Sequence, residues 1–223
     1  MSRLRKASRV WRDDGALEDA ARAMISQNVD YFTIEPDAVF GRRAPLEIEI
    51  GAGRGDFMLE YAAANPETNF LAIELSGTVG QLLAMRCGRA ELPNVRVAKM
   101  DARTLVNLML PDQSVAAFHV YYPDPWPKER HIKHRMVTPF FVGNLARTLT
   151  PDGNVYAASD VKAWAAEIFA MLDAGGFKRI DKEPPGAKRS AFGRKYMAQG
   201  KPVYFASFQK AAVLHKVAEP QLQ

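Results

Sequence analysis

Residues 46–57 read LEIEIGAGRGDF: a short alternation of apolar and acidic residues runs directly into three glycines at alternate positions. The isoleucines and the period of two predict a buried strand over 46–50. Gly51, Gly53 and Gly55 allow a sharp turn and a close approach of a ligand to the backbone at the carboxyl end of that strand. A helical pattern from Asp56 to Ala63 follows. A GxGxG pattern alone is weak, since many glycine turns bind nothing. Its place between a strand and a helix is what gives it meaning.

The same alternation continues outward. NFLAIEL (69–75), NVRVAKMD (94–101), VAAFHVYY (115–122), NVYAASD (154–160) and PVYFASFQ (202–209) read as further strands. TVGQLLAMRCGRAEL (78–92), residues 139–149 and VKAWAAEIFAMLDAGGF (161–177) read as helices, with TPDG (150–153) as a turn. Strands alternating with helices predict an α/β fold, a mainly parallel sheet with helices on both faces. Residues 1–45 are polar and basic, with a weak helical pattern around Leu17 to Met24 and a linker-like stretch EPDAVFGRRAP (35–45). The expected organisation is an extension over 1–45, a domain over 46–210 and a tail over 211–223.

A chain of 223 residues suits one domain with short extensions. Thirty Lys and Arg against 25 Asp and Glu give a net charge of +5, compatible with a polyanionic partner. The single cysteine, Cys87, excludes an intramolecular disulfide and a cysteine-rich zinc site. No apolar run is long enough to span a bilayer, and the basic start lacks the apolar stretch of a secretory signal. A cytoplasmic protein is expected; nothing in the sequence sets its oligomeric state.

Four acids surround the glycine turn in the predicted topology. Glu74 ends the second strand at the distance where a carboxylate accepts the ribose hydroxyls of an adenosine cofactor. A nicotinamide enzyme would show the same feature. Two others shift the balance. Asp56 stands where the dinucleotide pattern has its third glycine, and Glu49, just before Gly51, would repel a pyrophosphate but attract a cationic amino-acid moiety. Asp101, ending the third strand, is placed to hold an adenine amino group. Together they point to S-adenosylmethionine, whose sulfonium and ammonium are both positive.

The fourth strand runs into YYPDPWPKERHIKHR (121–135), where an acid and an indole lie between prolines and a basic run follows. With this segment the chain resembles the bacterial tRNA (guanine-N7)-methyltransferases over residues 46–209. PDPWPKERHIKHR carries the resemblance most specifically. EIGAGRGDF, AIEL, ASD and SAFGRKYMAQGKPVYFASF lie in the expected order around it. The resemblance implies a Rossmann-like class I methyltransferase fold with a seven-stranded sheet, S-adenosylmethionine as cofactor, and a guanosine in the variable loop of tRNA as target. By the same resemblance Glu49, Glu74 and Asp101 are cofactor-binding acids beside Gly51, Gly53 and Gly55. Asp124 is the catalytic residue, Lys128, Asp160 and Ser190 contact substrate, and the run from Arg130 through Lys133 to Arg135 contacts RNA. One departure stands out. The family's closing Thr-x-aromatic-Glu reads Ser190, Ala191, Phe192, Gly193 here, so the carboxylate is gone. If its absence limits turnover, Gly193→Glu is expected to raise activity.

Guanine N7 carries no proton, so methylation there needs no base. Alignment is the main task, and a carboxylate near the base can accept from guanine N1–H and N2–H₂ and offset the positive charge that develops. Pro123 and Pro125 restrict Asp124 for such work and remove competing donors. Trp126 is a candidate to stack on a base or to cover the sheet edge. The cations of KERHIKHR suit phosphates. His131 and His134 lack a third ligand in sequence, so no metal is expected. Asp160 is also a candidate to cap the helix beginning near Val161. Two alternatives remain open: an RNA-binding protein of this fold without turnover, and a methyltransferase with a changed target.

Overall fold

The computed structural model describes residues 33–211; the helical pattern around Leu17 to Met24 and most of the expected tail lie outside them. Seven strands form one sheet: β1 (Leu46–Ile50), β2 (Asn69–Glu74), β3 (Val95–Lys99), β4 (Val115–Tyr121), β5 (Leu149–Ser159), β6 (Phe177–Ile180) and β7 (Tyr204–Lys210). Their order is β3-β2-β1-β4-β5-β7-β6. β1 to β5 pair in parallel, and β7 is antiparallel to both β5 and β6. The order reverses between β1 and β4, so a crevice opens at their carboxyl ends, where open α/β sheets bind ligands.

Alternation along the strands divides the side chains between two faces. Ile48, Ile50, Phe118, Val120, Val155 and Ala157 pack on one face. That face is covered by α4 (Pro139–Thr148), through Phe141 and Leu145, and by α5 (Lys162–Ala174), through Trp164, Ile168 and Leu172. On the other face α2 (Asp56–Ala64) and α3 (Gly77–Arg89) cover β2 and β3 with Met58, Ala62, Leu83 and Cys87. Phe57, Tyr121, Tyr156 and Ala187 close that face over β4 and β5. The central strands are buried on both sides, which explains their nearly continuous apolar runs.

Four local readings need correction. The stretch taken as a linker contains α1 (Pro36–Phe40), with proline in its first turn, where the missing N–H costs nothing. Phe40 and the neighbouring Ile34 are buried in the main core, and Ile34 N donates to Met109 O at 2.7 Å. The TPDG turn is absorbed into β5 as an irregularity: Val115 pairs with Leu149, but Ala117 already pairs with Asn154. Finally, β6 and α6 (Ala191–Ala198) were not expected from local pattern.

Candidate functional site

The glycine turn is stitched to the end of β2. Gly51 N and Ala52 N both donate to Ile73 O, at 2.9 and 3.0 Å. Gly51, Gly53 and Gly55 have φ of 74°, 58° and 72°, a region that side chains rarely tolerate. A Cβ at Gly51 would meet no atom within 4 Å and one at Gly53 only the Gly51 carbonyl, so these two present bare backbone to open space. Gly55, expected to meet the cofactor, is instead buried, and its missing side chain makes room for Leu83.

Glu49 lies below this turn, only 4 % exposed, and its Oε2 has no hydrogen-bond partner among the described residues. Burial, with the nearby Asp56 and Glu74 carboxylates adding to it, pushes the Glu49 carboxyl up to about 8. Asp56 is paired with Arg86 at 2.9 Å. Glu74 accepts from Gly53 N at 2.9 Å and from Ser76 N at 2.8 Å, which fixes its carboxylate at the rim of the turn. A buried acid with an orphaned oxygen, in a pocket already rich in carboxylates, fits a ligand that brings positive charge. Asp101 caps the helical turn Ala102–Thr104, accepting from Arg103 N at 2.8 Å and from the Arg103 guanidinium at 2.6 Å. The Arg103 hydrogen bonds hold its carboxyl below the usual range. An adenine amino group there would share that carboxylate with Arg103.

Asp124 follows β4 and Asp160 follows β5, at the same edge of the sheet as the turn. Asp124 is exposed. The residues just outside its two prolines are strained: Tyr122 has φ 54° and Trp126 φ 40°. Trp126 is engaged edge-on by His131, with ring centroids 5.5 Å apart, and by His134 at 5.3 Å, so it packs the loop against the following turn of helix. Lys128, Arg130 and Lys133 are exposed and form no ion pair among the described residues. Arg135 behaves differently. Its guanidinium is 4.5 Å from the Trp164 ring centroid and bonds Pro125 O and Glu167.

Asp160 does not cap α5: Val161 is the N-cap, no side chain caps the helix, and the Val161 N–H is taken by Ser159 Oγ at 3.1 Å. Instead Asp160 lies near the Tyr196 phenol, which burial and that neighbouring carboxylate push up. Tyr196 stacks on Phe192 at 6.1 Å and 24°, and Tyr122 lies 5.7 Å from it. Phe192 is half exposed, so this aromatic group forms an open surface beside Asp160. Tyr196 escaped sequence reasoning because α6 was not expected.

Ser190 caps α6, accepting from Gly193 N at 3.1 Å, and is buried. A Cβ at Gly193 would collide with the Ala187 carbonyl oxygen. The expectation that Gly193→Glu restores a carboxylate therefore fails on space: backbone already fills the place. That backbone is held from below by a buried chain of hydrogen bonds. Gly186 N donates to Tyr121 Oη at 3.0 Å. Tyr121 Oη lies 2.9 Å from His119 Nδ1, and His119 Nε2 lies 2.7 Å from Glu47.

Residues 43–206 match a family model described as "Putative methyltransferase". The chain is 37% identical over 174 residues to the tRNA (guanine-N(7)-)-methyltransferase of Syntrophotalea carbinolica, covering 75% of each chain. It is 36% identical over 182 residues to the enzyme of the same name from Geobacter metallireducens, covering 78% of this chain and 86% of that one. Among solved structures, the 16S rRNA methyltransferase KamB superposes with a TM-score of 0.61 at 15% identity, over 85% of this chain and 99% of that one. This last likeness speaks for the fold alone.

Proposed function

Because the chain belongs to the tRNA (guanine-N7)-methyltransferase family, we propose that it transfers a methyl group from S-adenosylmethionine to N7 of a guanine in tRNA. The observation that carries this reading is the orphaned, buried Glu49 carboxylate under an open glycine turn, one strand away from the exposed Asp124. S-adenosylmethionine supplies an electrophilic methyl group. Glu49 would hold its cationic amino-acid end, Glu74 its ribose hydroxyls, and the open backbone of Gly51 and Gly53 its close approach. Asp101 would reach the adenine amino group.

Asp124 accepts hydrogen bonds from the N1–H and N2–H₂ edge of the guanine and offsets the positive charge that develops on the ring. Its exposure suits a base delivered from outside rather than a substrate enclosed in a cavity. The Phe192–Tyr196 surface offers an aromatic face beside Asp160. Such a face favours a base that becomes cationic, and so it answers the lost carboxylate at position 193. Lys128, Arg130 and Lys133 lie in the stretch after Asp124 and place the RNA backbone through its phosphates. Ser190 acts by fixing the start of α6, not by reaching the substrate.

The target within tRNA is proposed to be a variable-loop guanosine. The altered closing motif favours one second reading, a shifted target position, because backbone occupies the place of the family's carboxylate. Methyl incorporation into intact tRNA and into a transcript with that guanosine replaced separates the two. Loss of incorporation with the replaced transcript supports the variable loop; equal incorporation supports the shifted target.

A further inference from the structure

Arg135 closes the basic run, and sequence groups it with the phosphate contacts. Its surroundings differ from those of its neighbours. The side chain is only 17 % exposed. Nε donates to Pro125 O at 2.9 Å, an Nη atom bonds Glu167, and the guanidinium plane covers the Trp164 ring at 4.5 Å. Trp164, buried on α5, donates its indole Nε1–H to Pro123 O at 3.1 Å. The two carbonyls that bracket Asp124 are therefore each held by one member of a stacked Arg–Trp pair.

The segment has few other ways to be held. Pro123 and Pro125 have no backbone N–H, so anchoring falls to their carbonyl oxygens. The strained backbone at Tyr122 and Trp126 persists only where the surroundings over-determine it. An Arg fork supplies a directed donor to Pro125 O and a second arm to Glu167 at once; a lysine ammonium cannot reproduce that geometry.

We infer that Arg135 and Trp164 are positioning residues for Asp124, and that Arg135 serves turnover rather than phosphate binding. This inference rests on the reading of Asp124 as the group that meets the guanine. Arg135→Lys in the full chain tests it, because the variant keeps the positive charge and loses the fork. With S-adenosylmethionine and unmodified tRNA, kcat is expected to fall roughly ten- to hundredfold, as a misplacement near 1 Å does. KM for tRNA and the slope of log affinity against log salt are expected to stay at the wild-type values. Trp164→Phe, which keeps a ring and removes the N–H, is expected to show the same split with a smaller loss.

Lys133→Ala serves as the standard for a phosphate contact, with weaker tRNA binding and a flatter salt slope. An Arg135→Lys variant that behaves like Lys133→Ala, or that keeps wild-type kcat, overturns the inference. Should Arg135→Lys lose its cooperative melt, Trp164→Phe decides: wild-type kcat there overturns it equally. Absence of methyl transfer by the wild-type protein would instead contradict the proposed reaction, a result that these variants cannot mimic.

Discussion

The ends of β1 and β4 lie side by side in the sheet and are built on opposite principles. At β1 the acid proposed to hold the cofactor is buried, with an unpaired oxygen, and burial, with nearby acids adding to it, raises its carboxyl. At β4 the acid proposed to meet the guanine is exposed, flanked by strained residues and braced from α5. The first arrangement stores an unfavourable electrostatic state that a cationic ligand relieves. The second leaves the carboxylate in water and invests in its position instead. The contrast teaches that one crevice can select a small cation by desolvation and a large polyanion by placement, without the two fields cancelling.

The sharpest way to break this contrast is Asp124→Ala. Loss of one preorganised electrostatic group at a reacting centre typically costs about 10²- to 10³-fold in kcat. Single-turnover methyl transfer is expected to fall by that order, while tRNA affinity in filter binding changes little. Equal losses in both would make Asp124 a binding residue.

Glu49→Gln sharpens the other half. Hydrogen bonds to charged groups contribute about 1.5–3 kcal/mol, so cofactor affinity by calorimetry is expected to drop roughly ten- to hundredfold. The pH dependence has a defined sign. Free Glu49 holds its proton below about 8, and a cationic ligand favours the ionised form. Wild-type cofactor affinity therefore climbs as pH rises toward 8 and levels above it. Glu49→Gln abolishes that climb. Stability runs the other way. The folded protein retains a proton that the unfolded chain releases above 4.5, so the cofactor-free fold loses stability as pH rises from 4.5 to about 8. Melting curves of Glu49→Gln should lack this contribution. A wild-type cofactor affinity independent of pH would remove the desolvation argument.

Gly193 offers a smaller test of placement. With the Ala187 carbonyl in the way, even Gly193→Ala overpacks the turn, at a cost of about 1–3 kcal/mol. A lowered Tm and reduced activity are expected, and Gly193→Glu should be worse. Higher activity in Gly193→Glu would show that the loop yields and that the carboxylate was missing after all. The smallest effect belongs to Lys133→Ala, which should reduce the salt slope of tRNA binding by about one and weaken binding a few-fold.

The two halves also differed in how far the sequence revealed them. The glycine turn, Glu49 and Glu74 are set by contacts within one β-turn-α-β unit, and short-range pattern sufficed to find them. β6 was missed because FKRI is four residues long and half charged, with no alternation to read. α6 was missed because AFGRKYMA carries a glycine and exposes most of its residues, so no apolar stripe marks it. With α6 went Tyr196 and its place beside Asp160. The turn formers and charges of EPDAVFGRRAP read as a linker, although proline in the first turn of a helix is favourable. Arg135 was grouped with its neighbours for a different reason. Its partners Pro125, Trp164 and Glu167 meet only when α5 packs on the sheet, and no local pattern distinguishes a solvated arginine from a braced one.

The most direct test of the reaction itself is the identity of the modified nucleoside. Unmodified tRNA incubated with the protein and S-adenosylmethionine carrying an isotopic methyl, then digested and resolved by mass spectrometry, should yield the label in 7-methylguanosine. Label in another nucleoside, or none in tRNA while the cofactor binds, would contradict the account.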